Sequence, residues 1–195
     1  MNDLLQVPED TTNPLFLHDV VDVTRQMLQD HVEEAYRKAM HAFKAKDAND
    51  LQIYADLLVQ MLEDLDRILA SSEQFLLGKW LQSAASIAKN SLEAQIYQFN
   101  ARNQITTWGP TGQIVDYANK QWAGMVKDYC APRWKLFFDE LLQSIRNNRK
   151  FNDNKCKQKI FKQIEEPFTT DNKIYPIEAH GDTMAIAREI YEKYK

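Results

Sequence analysis

Between Asp47 and Leu69 the chain places Leu51, Tyr54, Leu57, Leu58, Met61, Leu62, Leu65, Ile68 and Leu69 at spacings of mostly three and four. Such spacing puts every one of them on a single side of a 3.6-residue helix, and a two-residue alternation does not fit the run. An apolar stripe of this length has to be buried, and the flanking segments repeat the pattern. Asn13-Pro14 reads as a cap followed by a first helical position. Val20, Met27, Leu28, Ala35, Ala39, Ala42 and Phe43 then carry helical spacing towards Lys46. A helix of about 30 residues would run about 45 Å, with Glu33–Arg37 and Glu34–Lys38 as i,i+4 pairs on its outer face.

Asp47-Ala48-Asn49-Asp50 breaks and re-caps the chain. Ser71-Ser72 starts a further turn, with Phe75, Leu76, Leu77, Trp80, Leu81, Ala84, Ile87 and Ala88 to bury. Gly78 lies inside this run, where it is worth about 1 kcal/mol less than Ala; close approach of a neighbouring backbone is the reason to expect. Asn90-Ser91 re-caps a segment reaching Ile105. Val115, Ala118, Trp122, Met125, Val126 and Tyr129 predict one helical face, and Pro132 predicts the start of the next, with Trp134, Phe137, Phe138, Leu141, Leu142 and Ile145 inward. After a solvated loop over 147–155, short helices are expected at Cys156–Ile164 and Thr183–Tyr194, with Pro167–His180 irregular. Five glycines and six prolines are too few for a strand-and-turn protein. The expectation is an all-α, irregular multi-helix bundle with one long N-terminal helix. Residues 1–12 form a flexible lead-in and 13–195 a single domain.

Several functions are excluded by what the sequence lacks. A net charge of −4 and no clustered basic run argue against nucleic acid and anionic membrane as partners. No stretch of 18 apolar residues exists to span a bilayer, and Met1–Asp10 has neither the basic start nor the apolar centre of a secretory signal. No Asn-x-Ser/Thr acceptor is present. His18, His31, His41 and His180 are scattered, so no metal site is expected, and no glycine-rich loop cradles phosphate; no cofactor is implied. Glu33/Glu34 and Asp64/Asp66 are close carboxylate pairs, read as solvated outer faces. Cys130 and Cys156 are read as two unpaired thiols, with a single disulfide as the alternative. Cys130, just before Pro132 at a helix start, could have its pKa lowered there, but no histidine lies near it in sequence.

The least generic stretch is Asn100–Phe138. Trp108-Gly109-Pro110-Thr111-Gly112 is a sharp corner immediately after a bulky indole. Trp80, Trp122 and Trp134 read as core. At a corner, however, an indole is either core or a flat platform for a ligand, and the apolar C–H face of a sugar suits such a platform. Arg102 is placed to orient the turn by hydrogen bonds to carbonyls, and Asp116, Asn119, Lys120 and Arg133 are fixed polar groups nearby.

At these residues the sequence resembles the C-terminal helical domain of the α-N-acetylglucosaminidases, lysosomal exoglycosidases of heparan sulfate breakdown. The likeness is densest over Arg102, Gln104, Trp108-Gly109-Pro110, Gly112, Asp116–Gln121, Ala123-Gly124 and Pro132-Arg133-Trp134. It extends to Phe75–Gly78 with Trp80-Leu81, to Asp22–Gln26 and to Gly181–Thr183. The resemblance implies an enzyme in which a small α/β domain precedes a β/α barrel, and the helical domain packs on that barrel. Two barrel glutamates about 5–5.5 Å apart would retain configuration as nucleophile and acid/base. None of this chain's acids matches them, so it carries no catalytic residue and is expected to be inactive alone. Trp108 matches a position expected to wall the substrate pocket, with Arg102 holding its loop. The partners implied are the catalytic barrel and a carbohydrate, the compartment is lysosomal, and the chain is a fragment or a separately encoded module. A free-standing helical interaction module is the alternative, and an independent enzyme using Asp116 or Cys130 is a third reading.

Overall fold

A computed structural model describes residues 1–7, 11–109, 111–112 and 114–195. The described chain is all-α, with one isolated bridge between Leu76 and Ala123 in place of any sheet. Its two longest helices are α2 (Pro14–Ala45) and α3 (Ala48–Leu69). The Asn13 side chain accepts from Leu15 and Phe16 N–H, as expected of a cap, and Asp47 does the same for Asn49 and Asp50. Lys46 turns the chain between them with φ +59. The stripe read from Leu51 to Leu69 packs on α2 and on α6 (Ala131–Arg146), and α9 (Thr183–Tyr194) closes the bundle against α2 and α3.

A second, smaller core lies beside this bundle. The hairpin of α4 (Leu77–Ser86) and α5 (Ser91–Ile105) packs Leu77, Leu81, Ala101 and Ile105 against Met125, Tyr129, Phe168 and Tyr175. Gly78 shows how the hairpin is strapped down. A methyl group there would lie 2.1 Å from the Pro176 carbonyl oxygen and 2.6 Å from that of Tyr175. The close approach expected from the sequence is real, and its source is the segment that follows α8 (Glu166–Thr170).

Several expectations need correction. Residues 1–12 are not wholly loose: α1 (Asn2–Leu5) forms, Met1 and Leu5 pack against the main core, and Arg188 of α9 donates to the Leu5 and Val7 carbonyls. Residues 8–10 of that lead-in lie outside the described residues. The helix expected from Val115 to Tyr129 is absent over its first half. Asp116 and Gly124 adopt φ +65 and +89, which a right-handed helix cannot contain. Ala123 instead donates to Phe75 O and accepts from Leu77 N. Helical geometry begins with a π-helical turn, Val126–Cys130, that runs into α6. Finally, Asp64 and Asp66 are not solvated. Asp64 accepts from Lys193 Nζ and Tyr194 Oη, while Asp66 accepts from Gly124 and Lys127 N–H and so caps the entry to α6. Burial pushes the Asp66 carboxyl above its ordinary range, and the two backbone donors pull it back.

Asn152 caps α7 (Asp153–Ile160), which runs through a second π-helical turn, Phe161–Glu165, into α8. Pro167 sits in the first turn of α8, a place proline tolerates, so helix extends into a segment expected to be irregular.

Candidate functional site

The corner after α5 is built from the helix end. The Asn103 backbone carbonyl accepts from Thr106 and Trp108 N–H, at 3.2 and 2.8 Å. Its side-chain Oδ1 accepts from Thr107 Oγ1 and Gly109 N–H, at 2.6 and 2.8 Å. One asparagine thus accepts from four donors of the turn that follows the helix, two on its backbone carbonyl and two on its side-chain oxygen. Trp108 is held with φ +50, a left-handed backbone that is an outlier for a bulky residue. The residue is 38% exposed and its ring lies 5.2 Å from that of Tyr117, itself 72% exposed. The indole is therefore presented at the surface with an aromatic neighbour, and it is not packed among helices. Pro110, expected from the sequence to set part of the turn, lies outside the described residues.

The far end of the loop is clamped by charge. Asp116 N–H donates to Thr106 O at 2.8 Å, closing the loop on its own start. Its carboxylate takes a two-pronged bond from Arg133, Nη1 to Oδ1 at 3.0 Å and Nη2 to Oδ2 at 2.7 Å, and Tyr129 Oη donates to Oδ1 at 3.4 Å. Arg133 also lies over the Tyr129 ring, and its Nε is 2.8 Å from Glu165 Oε1. The guanidinium of α6 thereby ties the loop to the π-helical turn before α8. A forked arginine–carboxylate contact fixes direction as well as distance.

Glu165 is nearly closed off from solvent. Burial raises its carboxyl above the usual glutamate range, Arg133 opposes that shift, and the Asp116 charge adds to it. A raised carboxyl contributes most to stability below its ordinary pKa, and the contribution is lost as pH rises through the folded value. Measured against Glu165→Gln, the unmodified chain should gain unfolding free energy as the pH is lowered from 7 to 4. A constant difference between the two proteins over that range would contradict it.

A groove of about 1100 Å³ runs along the other side of the same loop, between Thr111, Gly112, Asp116, Arg133, Trp134 and Phe161. Trp108 does not line it. Cys130 and Cys156 also face this groove as free thiols. Burial pushes the Cys130 thiol up to about 12, the reverse of the lowered pKa that a helix start would give and of what activates a thiol. With the Asp116 carboxylate already bonded to Arg133, neither residue is set up for independent catalysis. Among the described residues no three His, Cys, Asp or Glu side chains converge as metal ligands, and no helix is long and apolar enough to cross a membrane.

Arg102 is placed differently from the expectation. Its side chain is fully buried, its Nη2 donates to Lys173 O at 2.8 Å, and its guanidinium lies between the Phe168 and Tyr175 rings. It braces the strap across the second core, and the bonds that orient the turn come from Asn103. The signal that marks Asn103 is an amide residue in the last helical turn, five positions before a Trp-Gly corner. Arg133 is visible in the sequence as a fixed polar group, but its partner Glu165 carries no local signal.

The all-helical domain that carries this exposed corner has known relatives. Residues 1–193 match the family model described as alpha-N-acetylglucosaminidase (NAGLU) C-terminal domain, and the chain belongs to that family. Human alpha-N-acetylglucosaminidase is 40% identical over 192 residues, which cover 98% of this chain and 26% of the human protein. Among solved structures, the family 89 glycoside hydrolase of Clostridium perfringens in complex with PUGNAc superposes with a TM-score of 0.80 at 26% identity, over 92% of this chain and 21% of the bacterial one. A doubly glutamine-substituted form of the bacterial enzyme, in complex with its substrate GlcNAc-alpha-1,4-galactose, gives 0.81 over the same shares. The chain thus spans about a quarter of the human relative and about a fifth of the bacterial enzyme.

Proposed function

We propose that this chain is the helical portion of a glycoside hydrolase that removes terminal α-linked N-acetylglucosamine from heparan sulfate in the lysosome. It seats on a catalytic barrel and supplies one wall of the substrate pocket. Trp108 is the wall residue. Arg102 acts from behind it, as a buried brace of the helix pair from which the corner springs. The observation that carries this reading is the left-handed, half-open Trp108 beside Tyr117, on a loop fixed at both ends by Asn103 and by Arg133. Strain of this kind, in a loop so firmly held, accompanies functional sites. The reacting carboxylates belong to the barrel, so the isolated chain should not turn over an aryl α-N-acetylglucosaminide. Activity that disappeared on changing one of its own carboxylates would overturn the proposal.

The wall role has its own test, in a protein joining this chain to the catalytic region of the human relative. Covering a third to a half of an indole's roughly 200 Å² stabilises a complex by about 2 kcal/mol. Trp108→Ala should therefore raise KM by about 30-fold, and Trp108→Phe should recover part of the loss. An unchanged KM and kcat for Trp108→Ala would remove Trp108 from the pocket.

A further inference from the structure

Helix α5 does not look like a helix that ends its life in water. Only Ala101, Arg102 and Ile105 are buried, all near its C-terminal end. Leu92 and Ile96 point outward at 65% and 48% exposure, and Ile87, at the neighbouring end of α4, is 73% exposed. Leu92, Ile96, Phe99 and Asn103 follow one another at spacings of four, three and four, so they share one side of the helix. That side runs directly into the corner that Asn103 holds, where Trp108, Ile114 and Tyr117 are also exposed.

The charge pattern points the same way. From Trp80 to Val115 the only charged residues are Lys89, Glu93 and Arg102, in a chain that is 27% charged, and Arg102 is buried. The outer face of α2 carries Glu33, Glu34, Arg37 and Lys38, as a solvated face should. Apolar and amide side chains without charge are the composition of a covered interface, and contiguous apolar surface of this kind marks an interaction site.

We propose that the outward side of α5, from Leu92 through Ile96 and Phe99 to the Trp108 corner, is the strip on which the catalytic part of the same enzyme seats. The proposal rests on the functional reading above and specifies the surface that reading requires. The occupant follows from two facts. The human relative is nearly four times the length this chain matches, so most of such an enzyme lies outside the chain. The strip is also continuous with Trp108, so whatever covers α5 comes to rest beside the indole.

The test compares Leu92→Lys with Ile96→Lys in the isolated 195-residue chain and in the joined protein with the human catalytic region. The unfolding temperature should fall in the joined protein and stay constant in the isolated chain. Equal falls in both would make these residues internal to the helical domain, and no change in either would leave the strip uncovered; each result overturns the proposal. Self-association of the isolated chain that the lysines abolish, with the joined protein unaffected, would assign the strip to a second copy and overturn it too. An environment-sensitive naphthalene sulfonate dye gives a second readout that does not need the joined protein. It should bind the isolated chain and lose most of its binding on Leu92→Lys/Ile96→Lys, whereas an absence of dye binding would show no sticky face and sink the idea. Trp108→Ala separates the two proposals. If KM is unmoved while the lysines still loosen the joined protein, the wall fails and the strip stands; the opposite pattern fails the strip alone.

Discussion

Arg133→Met is expected to destabilise the chain by about 3–5 kcal/mol, the usual consequence of removing one partner from a buried ion cluster. At this chain length each kcal/mol moves the midpoint by roughly 2–4 °C, so thermal unfolding should shift down by about 6–20 °C. The size follows from what is stranded. Asp116 and Glu165 both face the same guanidinium, and Glu165 is nearly inaccessible to water. Methionine keeps the aliphatic bulk against Tyr129 but leaves two carboxylates without a counter-charge. Arg133→Lys should recover only part of the loss, because an ammonium cannot make the two-pronged bond to Asp116 while reaching Glu165. Calorimetry on the three proteins checks this. A loss under about 1 kcal/mol for methionine, the ceiling for an exposed pair, would mean that the cluster is solvated.

Gly78→Ala carries the second large effect, and its sign opposes helix propensity. In an open helix interior this change would stabilise by about 1 kcal/mol. Here the added methyl would meet two backbone carbonyl oxygens, at 2.1 Å and 2.6 Å, and neither can swing aside as a side-chain tip could. Overpacking against such a neighbour costs about 1–3 kcal/mol or more, and the strap through Tyr175 and Pro176 would lift from α4. Chemical denaturation measures the sign directly. A stabilised alanine variant would mean that the strap does not press on α4.

Much of the scaffold can be read from the chain alone, because its strongest signals are local. The Asn13, Asp47, Asn90 and Asp182 side chains cap the helices that follow them, and behind Asn13 and Asp47 the apolar spacing runs for several turns. The Gly78 approach is legible because glycine weakens a buried helix, a cost that makes sense where another backbone needs the room. Where reading fails, long-range contacts decide the outcome. Val115 to Tyr129 has helical spacing, yet pairing with Phe75 and Leu77 and two left-handed residues hold its first half open. Asp64 and Asp66 look like surface carboxylates until α9 and the entry to α6 arrive on top of them. In the site, Trp108 stands out as an indole at a corner, whereas Glu165 lies more than thirty residues from Arg133 and carries no local mark. Arg102 is visible as a fixed charge near the corner, but which element it serves depends on the strap from Lys173 to Tyr175.

The wide turn at Val126–Cys130 has a consequence for how α6 is phased. A π-helical turn absorbs one residue more than an ordinary turn, and such bulges gather at functional sites. Deleting that surplus residue would rotate everything downstream by about 100° relative to everything upstream. Phe138, Leu141 and Leu142 could then stay in the bundle only if the segment before the turn swung away, and with it the loop that the guanidinium grips. The extra residue works as a vernier, letting the phase of α6, with its hydrophobic stripe and its first arginine, be set independently of the segment that precedes the turn.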